Sequence, residues 1–261
     1  MSLEKAPSWT DLYYDVVGHY FWNPNLIGRI RDERIPARHW SEWKKRLMTL
    51  EAPVEHIMKF LFYVAPEDLL DRLVSTLLKR DISDLRLVAP GDDIIDGDIV
   101  QPDIIVRNES SLVFLELKVD SHSSIDQFTK YGIAAQCLMR AEPHLKTADL
   151  IILARHAEHG HVWSHATKLG LDSERAVRET ALRGLEGDAT VWSQRGVQRF
   201  MKTHPEQIGH LATRVKTIGL HLADYNALDK VLREYAAEER AVVRLINGLR
   251  GELKRRMLVS D

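Results

Sequence analysis

The spacing of apolar positions changes from a helical to a strand-like period near residue 85. Between 53 and 80 the apolar side chains recur every three to four residues, and Ala65-Pro66 interrupts them. This spacing predicts a helix that the proline breaks in two. Leu85 to Val88 then favours a short first strand, because turn-forming residues follow it at Pro90-Gly91.

Two short apolar segments next to each other predict a β-hairpin. They cover residues 102–106 and 112–119, and Asn108 to Ser111 between them is typical of a turn. A turn centred between Glu109 and Ser110 pairs residues whose numbers sum to 219. This register places Asp103 directly opposite Glu116.

A helix and a buried strand are expected after the hairpin. Ser124-Ile125-Asp126-Gln127 has the form of a capping box, and Pro143 follows the predicted helix end near Glu142. Residues 148–154 form a continuous apolar run, as expected of a central strand buried on both faces. The order α-β-β-β-α-β predicts an α/β core with a mixed sheet flanked by helices.

Helical additions are predicted on both sides of this core. We expect a helical N-terminal region over residues 1–50, packed on a core over 51–202, and a helical C-terminal region over 203–261 that begins near Pro205. The C-terminal helix would carry an apolar stripe with alternating spacings of three and four. Such a stripe either covers the domain's own core or forms a homodimer. Its members are Tyr225, Leu228, Leu232, Tyr235, Val242, Ile246, Leu249 and Leu253.

The overall composition is that of an ordinary globular protein. The formal net charge is −2, so contact with nucleic acid would depend on local patches and not on global charge. One of them is the mixture of arginines, lysines and tryptophans over 29–46, which suits either a solvated helix or phosphate contact. A single cysteine and the lack of a long apolar run favour a cytoplasmic protein without a membrane partner.

The predicted hairpin brings three charged side chains together. Because side chains alternate along a strand, Glu116 and Lys118 share a face on which Asp103 also lies. Two facing carboxylates repel each other unless a cation lies between them, and a divalent metal ion can serve this role. The patch is therefore a candidate metal site. The alternative is a salt-bridged trio on an exposed sheet face, which would contribute little energy.

Pro102-Asp103 followed by Glu116-x-Lys118 resembles the signature of the PD-(D/E)xK phosphodiesterase superfamily, which has the restriction-endonuclease-like fold. Gln127 and Tyr131 on the next helix are similar to the Gln-x-x-x-Tyr motif of one large branch of that superfamily. The two residues are four apart and face the same side of the helix. The resemblance covers roughly residues 50–155.

The resemblance implies a metal-dependent nuclease that hydrolyses phosphodiester bonds, with DNA as the first choice of substrate, and leaves a 5′ phosphate. Asp103, Glu116 and the carbonyl of Leu117 would bind Mg²⁺ or Mn²⁺. Lys118 would orient or deprotonate the attacking water, while Gln127 and Tyr131 would contact phosphate or brace the ligands. A further acid comes from the preceding helix in many relatives. Glu55 is the best-placed match for it, in competition with Glu51 and Glu67.

Two other functions stay open at the level of the sequence. One is a catalytically weak nucleic-acid-binding or regulatory module on the same fold. The facing carboxylates argue against it, because a module that only binds has no need of groups that repel phosphate. The other is a helical interaction protein whose α/β centre is a scaffold, and this protein would have no affinity for metal.

Overall fold

The computed structural model describes residues 51–88, 102–119, 125–155 and 218–260. The predicted N-terminal region, with the basic segment 29–46, lies outside these residues. So do the capping serine Ser124 and the last third of the predicted core, 156–202.

The first described elements are two helices separated by a proline. Helix α1 spans Glu51–Val64 and helix α2 spans Glu67–Leu78, so the predicted break at Ala65-Pro66 is confirmed. Pro66 precedes the first turn of α2, where a missing N–H costs nothing. Lys79 ends α2 in the left-handed conformation, with φ 54°, and its N–H donates to carbonyls of the last turn.

Five strands form one mixed sheet in the order β1-β2-β3-β4-β5. The pairs β1/β2 and β2/β3 are antiparallel, while β3/β4 and β4/β5 are parallel. The architecture is therefore α/β, as predicted. The strands are β1 (Arg86–Leu87), β2 (Ile104–Arg107), β3 (Ser111–Lys118), β4 (Thr147–Ala154) and β5 (Ile218–Asp224).

The hairpin between β2 and β3 has the predicted register. Ile104 lies opposite Leu115, a pair whose numbers sum to 219, so position 103 faces Glu116 when the ladder is extended by one residue. The turn is fixed by Asn108, whose side-chain oxygen accepts hydrogen bonds from the N–H groups of Ser110 and Ser111 at 2.9 and 2.7 Å.

Helix α3 (Ile125–Ala141) connects β3 to its parallel neighbour β4, and it ends one residue before the predicted limit. Parallel strands cannot be joined by a tight turn, so a helical crossover is required here. Every residue of β3 is buried, and so are seven of the eight residues of β4. These two strands form the centre of the sheet, as their continuous apolar runs predict.

The prediction of a purely helical C-terminal region is wrong. Residues Ile218–Asp224 form strand β5, which pairs with β4 at the edge of the described sheet. Ile218, Leu220 and Leu222 alternate with other residues in the period of two that a strand requires. The segment becomes a strand and not a helix because the backbone N–H and C=O groups along the open edge of β4 need hydrogen-bond partners. The described part of the predicted region 203–261 therefore belongs to the core.

Two helices, and not one, follow β5. Helix α4 spans Tyr225–Glu234 and helix α5 spans Arg240–Arg255. Asp224 caps α4 by accepting a hydrogen bond from the N–H of Ala227 at 2.7 Å. Tyr235 has an extended conformation after α4, and its hydroxyl donates to Asp68 of α2 at 2.8 Å. The chain therefore leaves the helical path between the two helices.

The C-terminal apolar stripe packs within the chain. Because α4 and α5 are separate, each turns its own apolar side toward the core, and the homodimer considered above would need another surface. Tyr235 is partly buried against the same core. The other members of the stripe are all buried in it: Tyr225, Leu228, Leu232, Val242, Ile246, Leu249 and Leu253.

The sheet lies between two helical layers. Val113, Leu115 and Leu117 of β3 point into a core shared with α1, α2, α4 and α5. Phe114 points to the other face, where its ring centroid lies 5.3 Å from that of Tyr131 on α3. Glu116 and Lys118 share the face of Phe114, so the candidate site lies between β3 and α3. Within the described ranges, none of the helices combines the length and apolar character needed to cross a bilayer.

Candidate active site

The predicted site residues converge where β3 ends. Glu116 and Lys118 lie in the last three residues of β3, and both are only 5% exposed. Asp103 immediately precedes the paired strand β2, so its position is set by the hairpin. Gln127 and Tyr131 come from α3, one helical turn apart.

The carboxylate of Glu116 is the centre of a hydrogen-bond network. Its Oε1 accepts from Nζ of Lys118 at 2.5 Å and from Nε2 of Gln127. Its Oε2 accepts from the hydroxyl of Tyr131. A buried charge is tolerated only when it is paired and hydrogen-bonded, and three donors meet this condition. The idea of an exposed salt-bridged trio is wrong, because this ion pair is buried.

Asp103 contacts the backbone of β3 beside Glu116. In the antiparallel ladder, the N–H of Asn108 donates to the carbonyl of Ser111, and every second residue pair along the hairpin is bonded in the same way. By this pattern, the N–H of residue 102 would donate to the carbonyl of residue 117. Pro102 has no N–H, so the ladder supplies no donor to the carbonyl of Leu117. The N–H of Leu117 donates instead to Oδ2 of Asp103 at 2.7 Å.

The Tyr131 hydroxyl keeps its proton in this setting. Burial is the largest cause that raises its pKa well above the ordinary value, and the charge and hydrogen bond of Glu116 raise it further. The charges of Asp103 and Glu55 act in the same direction. Tyr131 is therefore a firm hydrogen-bond donor to Glu116 over the whole physiological pH range.

Glu55 of α1 lies near the site but is not part of the network around Glu116. Its charge contributes to the raised pKa of Tyr131. Its carboxylate is bonded to Lys59, one turn further along the same helix. Glu55 as a further acidic ligand thus stays a prediction, and the side chain of its competitor Glu51 lies outside the described residues.

The donor set fits a hard cation that keeps some of its own water. In the described part of the chain, no group of three His, Cys, Asp or Glu side chains is arranged to hold a metal ion. The site offers two carboxylates, Asp103 and Glu116, and the carbonyl of Leu117, which lacks its ladder donor. Mg²⁺ typically binds one or two carboxylates and fills its other positions with water and phosphate oxygens, so this set suits it better than zinc or calcium.

A second buried polar cluster lies on the opposite face of the sheet. Asp149 of β4 is 2% exposed and accepts from Nη2 of Arg80 at 2.6 Å, while Nε2 of His221 lies 2.9 Å from its other oxygen. Sequence reasoning missed this cluster. The charged Asp149 inside an otherwise apolar strand is a usable signal, but His221 falls in the segment for which the sequence predicts a helix.

A surface cavity of about 630 Å³ lies at the other end of β3, beside the hairpin turn. Its lining is polar, but several of these groups are already bonded to each other. Ser75 and Ile82 exchange hydrogen bonds, and Asp71 accepts from the N–H groups of Asp84 and Leu85. The cavity is therefore a weaker candidate for chemistry than the buried network around Glu116.

No protein-family model, no curated protein and no solved structure matches this chain. The functional argument therefore depends on the geometry of the site itself.

Proposed function

We propose that the protein is a metal-dependent nuclease that hydrolyses the phosphodiester bonds of DNA and leaves a 5′ phosphate. The observation that carries the proposal is the buried Glu116–Lys118 pair, held by Gln127 and Tyr131 and lying beside Asp103. The element order and the mixed sheet support a restriction-endonuclease-like core, since the same strand pair supplies the acidic and basic groups of that fold.

Each side chain has a role that follows from its position. Asp103 and Glu116 supply carboxylate oxygens at the end of a rigid strand pair, and Leu117 supplies a carbonyl oxygen. Gln127 and Tyr131 fix the orientation of Glu116 from α3, because each donates a hydrogen bond to it. Packing against Phe114 in turn holds the ring of Tyr131. The site is thus preorganised by two different elements.

Lys118 brings a positive charge into a site from which water is largely excluded. In such surroundings an ammonium group stabilises developing negative charge more strongly than it does in water. Its Nζ lies 2.5 Å from Oε1 of Glu116, so Lys118 would be close to a phosphate that a metal ion at Asp103 and Glu116 would hold. We assign Lys118 to orienting the attacking water and to stabilising the charge on the phosphate oxygens.

A divalent ion at this site would relieve charge on the phosphoryl group and lower the pKa of an attacking water. Mg²⁺ or Mn²⁺ is the fitting ion, because the three groups that would bind it are all oxygen donors. Asp103, Glu116 and Leu117 are the residues that would hold it. The charge of Glu55 on α1 also adds to the negative potential of the site.

Asp103→Asn is the sharpest test of this proposal. Asparagine keeps an oxygen that can accept from the N–H of Leu117, so the fold should persist while the charge is lost. We expect Mn²⁺-dependent nicking of supercoiled plasmid DNA to fall at least about 100-fold, since the lost charge stabilisation amounts to several kcal/mol. Calorimetry should show weaker Mn²⁺ binding by the same variant, and its thermal melt should stay close to that of the wild type.

The matched control is Glu109→Gln, which removes a carboxylate from the exposed hairpin turn at the far end of the same strands. It should nick DNA at the rate of the wild type. Undiminished nicking by Asp103→Asn, with undiminished Mn²⁺ binding, would refute the assignment of the site.

A further inference from the structure

The face of the sheet that carries the candidate site is covered at its centre and open at one edge. Over β3 this face is buried, and α3 packs on it. Along β2, Ile105 and Arg107 share the face of Asp103 and are only partly buried, whereas the residues of β2 that face the core are fully buried. Arg86 of β1 lies opposite Arg107 and is exposed. We call the edge formed by Asp103, Ile105, Arg107 and Arg86 the shelf.

The shelf leads from the candidate site to two arginines. Asp103 stands one residue before β2, and Arg107 is the last residue of that strand. The two are four positions apart, so the shelf is about 13 Å long at about 3.3 Å per residue. Arg86 pairs with Arg107 across the antiparallel ladder, so both arginines lie at the end remote from the site.

The remote end of the shelf keeps a positive charge. Both oxygens of Glu142 accept hydrogen bonds from Arg107, and Nε2 of His144 lies 3.2 Å from the same carboxylate. The hydrogen bond from Arg107 is the main reason why the pKa of Glu142 lies below its ordinary value, and the charge of Arg86 acts in the same direction. Arg86 is thus near this carboxylate, but within the described residues it forms no ion pair. One carboxylate therefore faces two guanidinium groups.

A lysine of α3 lies at the other end of the shelf. Relative to Tyr131, Lys130 lies roughly 100° to one side of the helix and Phe128 roughly 60° to the other. Phe128 is buried and Lys130 is partly exposed. Because a crossover such as β3-α3-β4 is right-handed, the side with Lys130 is turned toward β2 and the side with Phe128 toward β4. In the part of the chain that the structure describes, Lys130 has no hydrogen-bond or ion-pair partner.

The charges on this face are therefore arranged along a line. The carboxylates of Asp103 and Glu116 lie at the site, where a divalent ion would neutralise them. Lys130 flanks this end, and Arg86 adds a cation at the other. A polyanion that lies along the shelf can contact both cations while one of its phosphates stays at the site.

We infer that the shelf holds the phosphate backbone of the substrate beside the reacting centre, with Lys130 and Arg86 as its phosphate contacts. The inference rests on the proposed nuclease function and adds the surface that positions the nucleic acid. One strand of a duplex carries one charge for each 3.4 Å of helix axis, so about 13 Å corresponds to roughly four nucleotides. Lys130 and Arg86 are positioning residues, because such contacts fix the place of a backbone without reading its sequence.

The first test measures binding in the absence of metal. We use fluorescence anisotropy with a labelled 30-base-pair DNA duplex in EDTA, so that no cleavage occurs. Arg86→Gln/Lys130→Gln should bind at least about tenfold more weakly than the wild type at about 50 mM salt. Its slope of log K against log salt should be smaller by about 2, because each lost phosphate contact removes about 0.9.

Two further variants serve as controls. Lys230→Gln/Arg233→Gln also removes one lysine and one arginine, both exposed, from α4 on the other side of the sheet. It should bind like the wild type. Arg86→Lys/Lys130→Arg keeps both charges and should bind within about threefold of the wild type, because a phosphate contact depends mainly on the charge. This variant separates phosphate contact from a structural effect of the substitutions.

Four outcomes would overturn the inference. The first is undiminished binding by Arg86→Gln/Lys130→Gln. The second is an equal loss in Lys230→Gln/Arg233→Gln, which would mean that binding follows overall charge. The third is a loss in Arg86→Lys/Lys130→Arg as large as in the glutamine variant, and the fourth is a wild type that does not bind the duplex.

The cleavage reaction separates this inference from the proposed function. With Mn²⁺, Arg86→Gln/Lys130→Gln should raise KM at least about tenfold and leave kcat nearly unchanged, since it removes binding that is equal in the ground state and the transition state. Weakened binding by this variant, together with a wild type that does not nick DNA, would support the shelf and refute the nuclease. Intact binding by this variant, together with nicking that depends on Asp103, would do the reverse.

Discussion

At the scale of single residues, the energetics of the site depend on how Glu116 is buried. Removing a carboxylate from water costs several kcal/mol, and its partners offset the cost only if all of them are in place. Here an ammonium group, an amide and a phenol converge on two oxygens. The network is therefore sensitive to the loss of any one donor, whatever reaction the site performs.

Lys118→Met should destabilise the protein by about 3 kcal/mol. The substitution keeps the apolar stem but leaves Glu116 buried without its cation, which is the costly way to break a buried ion pair. The double variant Lys118→Met/Glu116→Gln should recover part of this loss. We expect a coupling energy between the two side chains of about 1 kcal/mol or more, as is typical of residues in contact. Urea unfolding of the wild type, both single variants and the double variant measures the cycle. Additive losses would show that the two side chains do not interact.

At the scale of elements, β5 is attached to the sheet through a close backbone approach. Gly219 lies beside Asp149 in the parallel pair with β4. A Cβ atom at this position would lie 2.0 Å from Oδ1 of Asp149 and 2.7 Å from Nε2 of His221. Glycine is thus required here because the buried carboxylate and its partner occupy the space of a side chain.

Gly219→Ala should therefore destabilise the protein by about 2 kcal/mol or more, since the strand or the polar cluster must move. Gly251→Ala is the matched control. It lies within α5 with open space around it, so alanine should stabilise by about 0.5–1 kcal/mol through helix propensity. Chemical denaturation of both variants measures the change in the free energy of unfolding, which should be of opposite sign in the two. A neutral Gly219→Ala variant would contradict the close approach of β5 to Asp149.

At the scale of the whole molecule, the Asp149 cluster links segments that are far apart in the chain. Arg80 follows α2, Asp149 lies in β4 and His221 lies in β5. Burial would raise the pKa of Asp149, but the hydrogen bonds from His221 and Arg80 outweigh it and hold the pKa below its usual value. A carboxyl whose pKa is lowered by folding stabilises the folded state whenever it is ionised.

Asp149→Asn should reveal this contribution as a pH-dependent loss of stability. The stabilisation is fully present above the unfolded pKa of about 3.9 and is lost as the pH falls through the lower folded value. At pH 7 we expect the variant to be less stable than the wild type by about 2 kcal/mol, the value of a hydrogen bond to a charged group. The difference should shrink below pH 4.

Unfolding curves between pH 2.5 and 7 measure this difference, and Asp81→Asn at an exposed position is the control. A gap that is constant across the whole range would show that the ionised form of Asp149 does not stabilise the fold.

The relations that the sequence determined are local ones. The proline break between α1 and α2, the turn at Asn108 and the alternation along β3 follow from fixed periods and from residues with restricted backbones. Together they set the hairpin register, and with it the meeting of Asp103, Glu116 and Lys118. Gln127 and Tyr131 could be placed on one side of α3 for the same reason.

Other features were decided only by the tertiary structure. The short segment Ile218–Asp224 has a strand period, but it becomes β5 because β4 offers it an unpaired edge. Asp149 and His221 are 72 residues apart, and no local pattern predicts that they meet. The C-terminal stripe packs inward because the chain leaves the helix at Tyr235, which Asp68 of α2 holds by a hydrogen bond. Local geometry follows from the periodicity of the sequence, whereas contacts between distant segments depend on which surfaces the fold brings together.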